Sequence, residues 1–185
     1  MKVSGVVLLS LVAPLAIAEG FERQHERHEH GAASMAVVLE GKTLQIRIES
    51  PAANIVGFEH APSNAQQKQA LLNAMDQLGK PEQFLSLPDK AACMLEQLSV
   101  SQSLFANAEH EEHEEHEEHE ATYENGHSEF ELQYQFHCVH PKLLRELSVE
   151  LFQYYPGMET LEVQLIGPAG QRYKELDTLN RQVIF

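Results

Sequence analysis

Glu129-Phe130-Glu131-Leu132-Gln133-Tyr134-Gln135-Phe136-His137-Cys138 alternates apolar and polar residues without a break. Side chains of an extended chain point to opposite faces in turn, so Phe130, Leu132, Tyr134, Phe136 and Cys138 share a buried face. Glu129, Glu131, Gln133, Gln135 and His137 then share a wet one. This is the clearest half-buried strand in the chain, and it implies a sheet with one face against a core.

Upstream, Leu44, Ile46 and Ile48 alternate with Gln45, Arg47 and Glu49 in the segment Thr43 to Ser50. Ala32 to Glu40 precedes it across Glu40-Gly41-Lys42, which predicts a tight hairpin. Between Ala92 and Leu104 the parity changes. Cys93 and Leu95 take one phase and Leu98, Val100 and Leu104 the other, which predicts a bulge near Glu96. Downstream, a helical turn after Pro141 leads to an alternating run at Leu147, Val149 and Leu151. A strand follows at Leu161, Val163 and Leu165, then a Gly167-Pro168-Ala169-Gly170 turn, and a last strand at Val183, Ile184 and Phe185.

One helix stands out. Ser63 with Gln66 suggests a capping box, Leu71, Leu72, Met75 and Leu78 an apolar stripe, and Gly79 and Pro81 a stop. Pro51 to Pro62 reads as a loop. The sum is an α+β domain, mainly antiparallel sheet with one main helix.

Residues 1–18 have the form of a secretory signal: Lys2, an apolar run from Val6 to Ala16, and a small-x-small site at Ala16-Ile17-Ala18. Pro14 interrupts the run, which is short for a bilayer span. No Cys follows the cleavage site, which argues against a lipid anchor. The expectation is a periplasmic protein, 19–185, folded as one domain, with no membrane insertion of the mature chain. In such an oxidising compartment the two cysteines, Cys93 and Cys138, are expected to pair. A bridge across so long a loop contributes about 4–5 kcal/mol in the chain-entropy account. The net charge of −15 disfavours nucleic acid and anionic membranes as partners and favours cations.

The insert between the two strands that carry these cysteines, about 107–126, is the most unusual segment. From Glu109 to Glu120 it holds eight Glu and four His, with His110, His113, His116 and His119 three residues apart. With nothing apolar to bury, it is expected to be disordered. Neutral imidazole suits zinc, copper and nickel, and carboxylates add oxygen ligands. In a helix, a step of three residues turns each imidazole by about −60°, so all four cannot share one ion. Weak, exchangeable sites are expected, an accessory pool beside a better-defined centre. The bland alternative is a solvated acidic linker.

Other histidines offer ordered ligands. His28 and His30 form H-x-H, their side chains about 6.5–7 Å apart in extended chain, with Gly31 allowing a bend. The alternative is a polar arm with incidental metal affinity. His60 lies in a loop before a helix, where a buried, hydrogen-bonded structural role competes with ligation. His127 stands where the insert returns to the core. His137 and His140 form H-x-x-H, more readily an exposed pair than a chelate. The chain contains no H-E-x-x-H, G-x-S-x-G or G-x-G-x-x-G, so no enzymatic activity is expected.

Taken in order, His28-Glu29-His30-Gly31, Ser50-Pro51-Ala52, Gly57-Phe58-Glu59-His60-Ala61-Pro62, Cys93, the His/Glu insert and His127 leading to Tyr134-x-Phe136-x-Cys138 resemble the zinc-regulated periplasmic ZrgA-like family. Gly-Phe-Glu-His-Ala-Pro is the most specific piece. The resemblance covers essentially the whole mature chain and implies Zn(II) capture linked to import through a zinc uptake transporter. By position it carries over His28, His30, His60 and His127 as ordered ligands, with His110, His113, His116 and His119 as accessory ones. Competing functions are a divalent-metal buffer or store without a transport partner, a zinc metallohydrolase, and an envelope interaction domain that binds no metal.

Overall fold

The computed structural model describes residues 30–105 and 128–185. The expected signal at 1–18, the segment with His25 and His28, and the insert with His110, His113, His116, His119 and His127 lie outside them.

The strands are β1 (Ala32–Glu40), β2 (Thr43–Pro51), β3 (Leu85–Ser86), β4 (Cys93–Gln102), β5 (Glu129–Cys138), β6 (Glu146–Val149), β7 (Thr160–Gly167), β8 (Gly170–Asp177) and β9 (Gln182–Ile184). The helices are α1 (Ala52–Val56), α2 (Ala65–Leu78) and α3 (Leu151–Tyr154). Six strands pair in the order β4-β5-β2-β1-β7-β8, and three more in the order β3-β6-β9. β1 and β7 run parallel, and the other pairs are antiparallel. This is the α+β architecture that the alternating segments imply.

The period-two segments build the middle of the large sheet. Phe130, Leu132 and Tyr134 of β5, Leu44, Ile46 and Ile48 of β2, Met35 and Val37 of β1, and Leu161, Val163 and Leu165 of β7 are buried on one face. Leu78 of α2, Phe84, Leu147 and Val149 of β6, and Leu151 and Phe152 of α3 belong to the same core. Each fully buried aliphatic or aromatic side chain stabilises by roughly 1.5–3 kcal/mol. Tyr134 also satisfies its polar end by donating to the Leu78 carbonyl at 2.8 Å, and its ring meets Phe84 edge-on at 6.1 Å. Gln45, Arg47, Glu49 and Gln133 face solvent on the opposite side.

The hairpin turns at Gly41-Lys42, with Glu40 opposite Thr43. The parity change in β4 is a real irregularity: the β4–β5 register slips between Leu95 and Gln97. Cys93 and Cys138 stand opposite one another and are disulfide-bonded.

Several local expectations are corrected. Pro51 to Pro62 is not loop throughout, because Ala52–Val56 forms α1, whose five residues are too few for a periodic signal. The α2 cap is Asn64, not Ser63. Asn64 Oδ1 accepts from the Gln67 amide at 2.9 Å and Gln67 Oε1 accepts from the Ser63 amide at 2.8 Å, a box displaced by one residue. The buried stripe of α2 is Leu71, Ala74 and Leu78, while Leu72 is 62 % exposed. Leu151 does not continue β6; it begins α3. β3 and β8 had no clear signal: one is two residues long, the other exposed along most of its length.

A cleft of about 200 Å³ lies between β8 and β9, lined by Val163, Leu165 and Val183 with Arg172 and Lys174 among its walls. It contains no histidine. Lys174 Nζ donates to the Gln182 carbonyl at 2.8 Å and Arg172 Nη1 to the Ile184 carbonyl at 3.3 Å. These cations cover main-chain acceptors of β9 and so guard that strand against further pairing. Among the described residues no helix is long and apolar enough to cross a membrane.

Candidate metal centre

One end of the large sheet brings the segment with His30 beside the loop with His60. The register sets Ala32 beside Thr160, Pro51 opposite Glu129, and Gln102 opposite Phe130. The start of β1, the end of β2, the end of β4 and the start of β5 are therefore neighbours. His30 precedes β1, the loop with Glu59 and His60 follows β2 and α1, and residues 105 and 128 flank the undescribed insert at this same end.

Two glycines shape the approach. Gly31 takes φ +90°, a left-handed conformation costly for other residues, and bends the chain between His30 and β1. Its carbonyl accepts from the amides of Glu159 and Thr160 at 2.7 and 2.9 Å. Gly57, with φ +83°, ends α1 and redirects the chain into Phe58-Glu59-His60.

The loops are then tied together by buried polar side chains. Asn54 Oδ1 accepts from the Gly31 amide at 2.8 Å, and Asn54 Nδ2 donates to the Ala32 carbonyl at 2.9 Å and to Ser50 Oγ at 3.3 Å. Ser128 Oγ donates to the Glu59 carbonyl at 2.9 Å, and the Ala52 amide donates to the Ser128 carbonyl at 2.7 Å. Ser50, Asn54 and Ser128 are the buried polar residues among those described, and all three sit here. Burying polar groups is favourable only when their hydrogen bonds are complete, so their grouping at one end marks a constructed junction.

His30 Nε2 lies 3.1 Å from Glu59 Oε1, with the imidazole 66 % exposed and the carboxylate 20 % exposed. His60 is exposed, which removes the buried structural role, and its Nδ1 lies 2.9 Å from the Ala61 carbonyl. A proton on Nδ1 donated to that carbonyl leaves Nε2 with its lone pair directed outward, the arrangement that orients metal-ligating imidazoles. Phe58, partly buried against the core, stacks on the His60 ring with centroids 5.3 Å apart. Glu59 is not among the candidates named from sequence; its place beside His60 in Gly57-Phe58-Glu59-His60 was the available signal.

Of the sequence candidates, the described residues place His30 against Glu59, with His60 the next residue of the same loop. His28 and His127 lie one or two residues beyond the described chain at this end, and the four insert histidines lie between its flanks. His137 and His140 are remote: His137 pairs with Thr43 at the other end of β5. Among the described residues no group of three His, Cys, Asp or Glu side chains is placed to hold a metal ion.

Comparison with known proteins agrees with the family resemblance. The sequence model of a family described as ZrgA family zinc uptake protein matches residues 27–185. No curated protein matches the chain.

Proposed function

Since the chain belongs to the ZrgA family of zinc uptake proteins, we propose that it captures Zn(II) in the periplasm and supplies it to an uptake transporter, without enzymatic activity. In this reading His28, His30, His60 and His127 are the ordered ligands. Glu59 stands among them as a carboxylate that can coordinate or hold His30. His110, His113, His116 and His119 form an accessory arm that raises the local zinc concentration.

The observation that carries the proposal is the convergence at one end of the sheet. His30 and the Glu59-His60 loop meet there, and the segment rich in His and Glu leaves from Phe105 and returns at Ser128 beside them. In this reading an ion held weakly by the arm passes on to the ordered ligands. Only neutral imidazole coordinates, so protons compete with zinc and acid favours release.

The test is zinc competition against a chelator with the mature chain, His60→Ala and the double variant His30→Ala/His60→Ala. The tightest site is expected to weaken by about tenfold or more in each. Unchanged competition in the double variant would remove this end of the sheet from zinc binding.

A further inference from the structure

At the opposite end of β5, a second set of donor atoms faces solvent. Met94 and His137 are direct cross-strand partners in the β4–β5 pair, on the outer face of the sheet. Opposed residues in an antiparallel pair hold their Cβ atoms about 4.5–5.5 Å apart, near enough for two long side chains to reach one ion. The pair is nine residues along β5 from Ser128, about 30 Å at the rise of an extended strand, so it is separate from the histidines of the zinc end.

Three features make the pair more than a chance neighbourhood. The Cys93–Cys138 disulfide joins the adjacent opposed residues and fixes the spacing of Met94 and His137. The bulge between Leu95 and Gln97 presents Glu96 on the same face, where its Oε1 lies 3.9 Å from His137 Nδ1. Gln135 Nε2 donates to the other oxygen, Oε2, at 3.4 Å and keeps the carboxylate there. At that distance the carboxylate is an ion-pair neighbour of the imidazole and adds negative potential beside the two donors. Met94, 62 % exposed, stands at the edge of the sheet, whereas Met35 and Met158 are buried.

The donor set decides the ion. Thioether sulfur is soft and selects Cu(I) and its analogue Ag(I) over zinc, and imidazole accepts either. Both cysteines of the chain are in the disulfide, so no thiol competes. We infer that Met94 and His137 form a binding site for a soft monovalent cation, Cu(I) or Ag(I), with Glu96 as a neighbouring negative charge that favours the cation.

The experiment is a titration of the oxidised full chain with silver nitrate, added in excess of the capacity of the His/Glu segment. It is followed through the ¹³C-methyl signals of the methionines, with Met94→Leu assigning the resonance. The Met94 methyl is expected to shift while those of Met35 and Met158 stay in place, and zinc chloride should leave it unmoved. His137→Ala should weaken the response about tenfold or more, and Glu96→Gln less. A Met94 signal unmoved by Ag(I), or one that titrates identically in His137→Ala, would overturn the assignment. The outcome is independent of where zinc binds.

Discussion

Ser128 donates its hydroxyl to the main-chain carbonyl of Glu59 at 2.9 Å, joining residues sixty-nine apart in sequence. The bond fixes the loop that carries His60 to the first residue described after the insert. Removing it should therefore affect metal binding through position rather than through loss of a ligand. Ser128→Ala should cost about 1 kcal/mol of stability and weaken the tight zinc site several-fold while the weak sites persist. Parallel denaturation and chelator-competition measurements separate the two effects. Zinc binding that is unaltered would make the bond purely structural.

Asn54 has more at stake, because its side chain satisfies Gly31, Ala32 and Ser50 from a buried position. Asn54→Ala leaves the Gly31 amide and the Ala32 carbonyl without this partner and should cost about 2–3 kcal/mol. Asn54→Asp keeps the acceptor for Gly31 but sets a buried carboxylate oxygen against the Ala32 carbonyl, and should cost at least as much. Urea denaturation of the metal-free proteins gives the order directly.

Deletion of Glu109 to Glu120 should lower the number of zinc ions bound while leaving competition at the tightest site nearly intact. Calorimetric titration of the mature and deleted forms distinguishes the arm from the ordered centre. If stoichiometry and competition are both unchanged, the arm has no part in zinc capture.

Burial pushes the Tyr134 phenol well above its ordinary range, with Tyr155 adding to the effect, and burial raises Tyr155 likewise. Below about pH 10 both phenols are neutral in the folded and unfolded chains, and the stabilisation is fully present. Above that, the unfolded chain ionises first and stability falls as pH rises. Tyr134→Phe should reduce this alkaline loss, although it forfeits the bond to the Leu78 carbonyl and about 1 kcal/mol at neutral pH. Denaturation midpoints between pH 8 and 11 test the slope.

The strands legible in the sequence were those with one face in the core. β5 and β2 follow from strict alternation, and even the slip in β4 shows as a change of parity between Leu95 and Leu98. The parallel β1–β7 pair was not legible, because alternation records which face is buried and not which strand lies alongside. β8 was hidden because Gln171 to Glu175 are exposed on both faces, leaving only Leu176 to pattern. α1 escaped because five residues hold barely more than one helical turn.

The candidate centre was legible in part for a similar reason. Histidine is conspicuous in a sequence, so His30 and His60 were candidates on sequence alone. Their supports were not, because Asn54 and Ser128 are ordinary loop residues until folding buries them together. Glu59 likewise acquires its meaning only when the turn at Gly31 brings His30 to its side chain.

The central claim is that zinc is held at the end of the sheet where His30 meets the loop of Glu59 and His60. Anomalous diffraction at the zinc edge, from crystals of the mature chain loaded with one equivalent, tests it most directly. The account expects a peak about 2.0–2.1 Å from an imidazole nitrogen of His30 or His60, its other ligands drawn from Glu59, His28 and His127. A peak elsewhere on the molecule, with neither His30 nor His60 in contact, would contradict it.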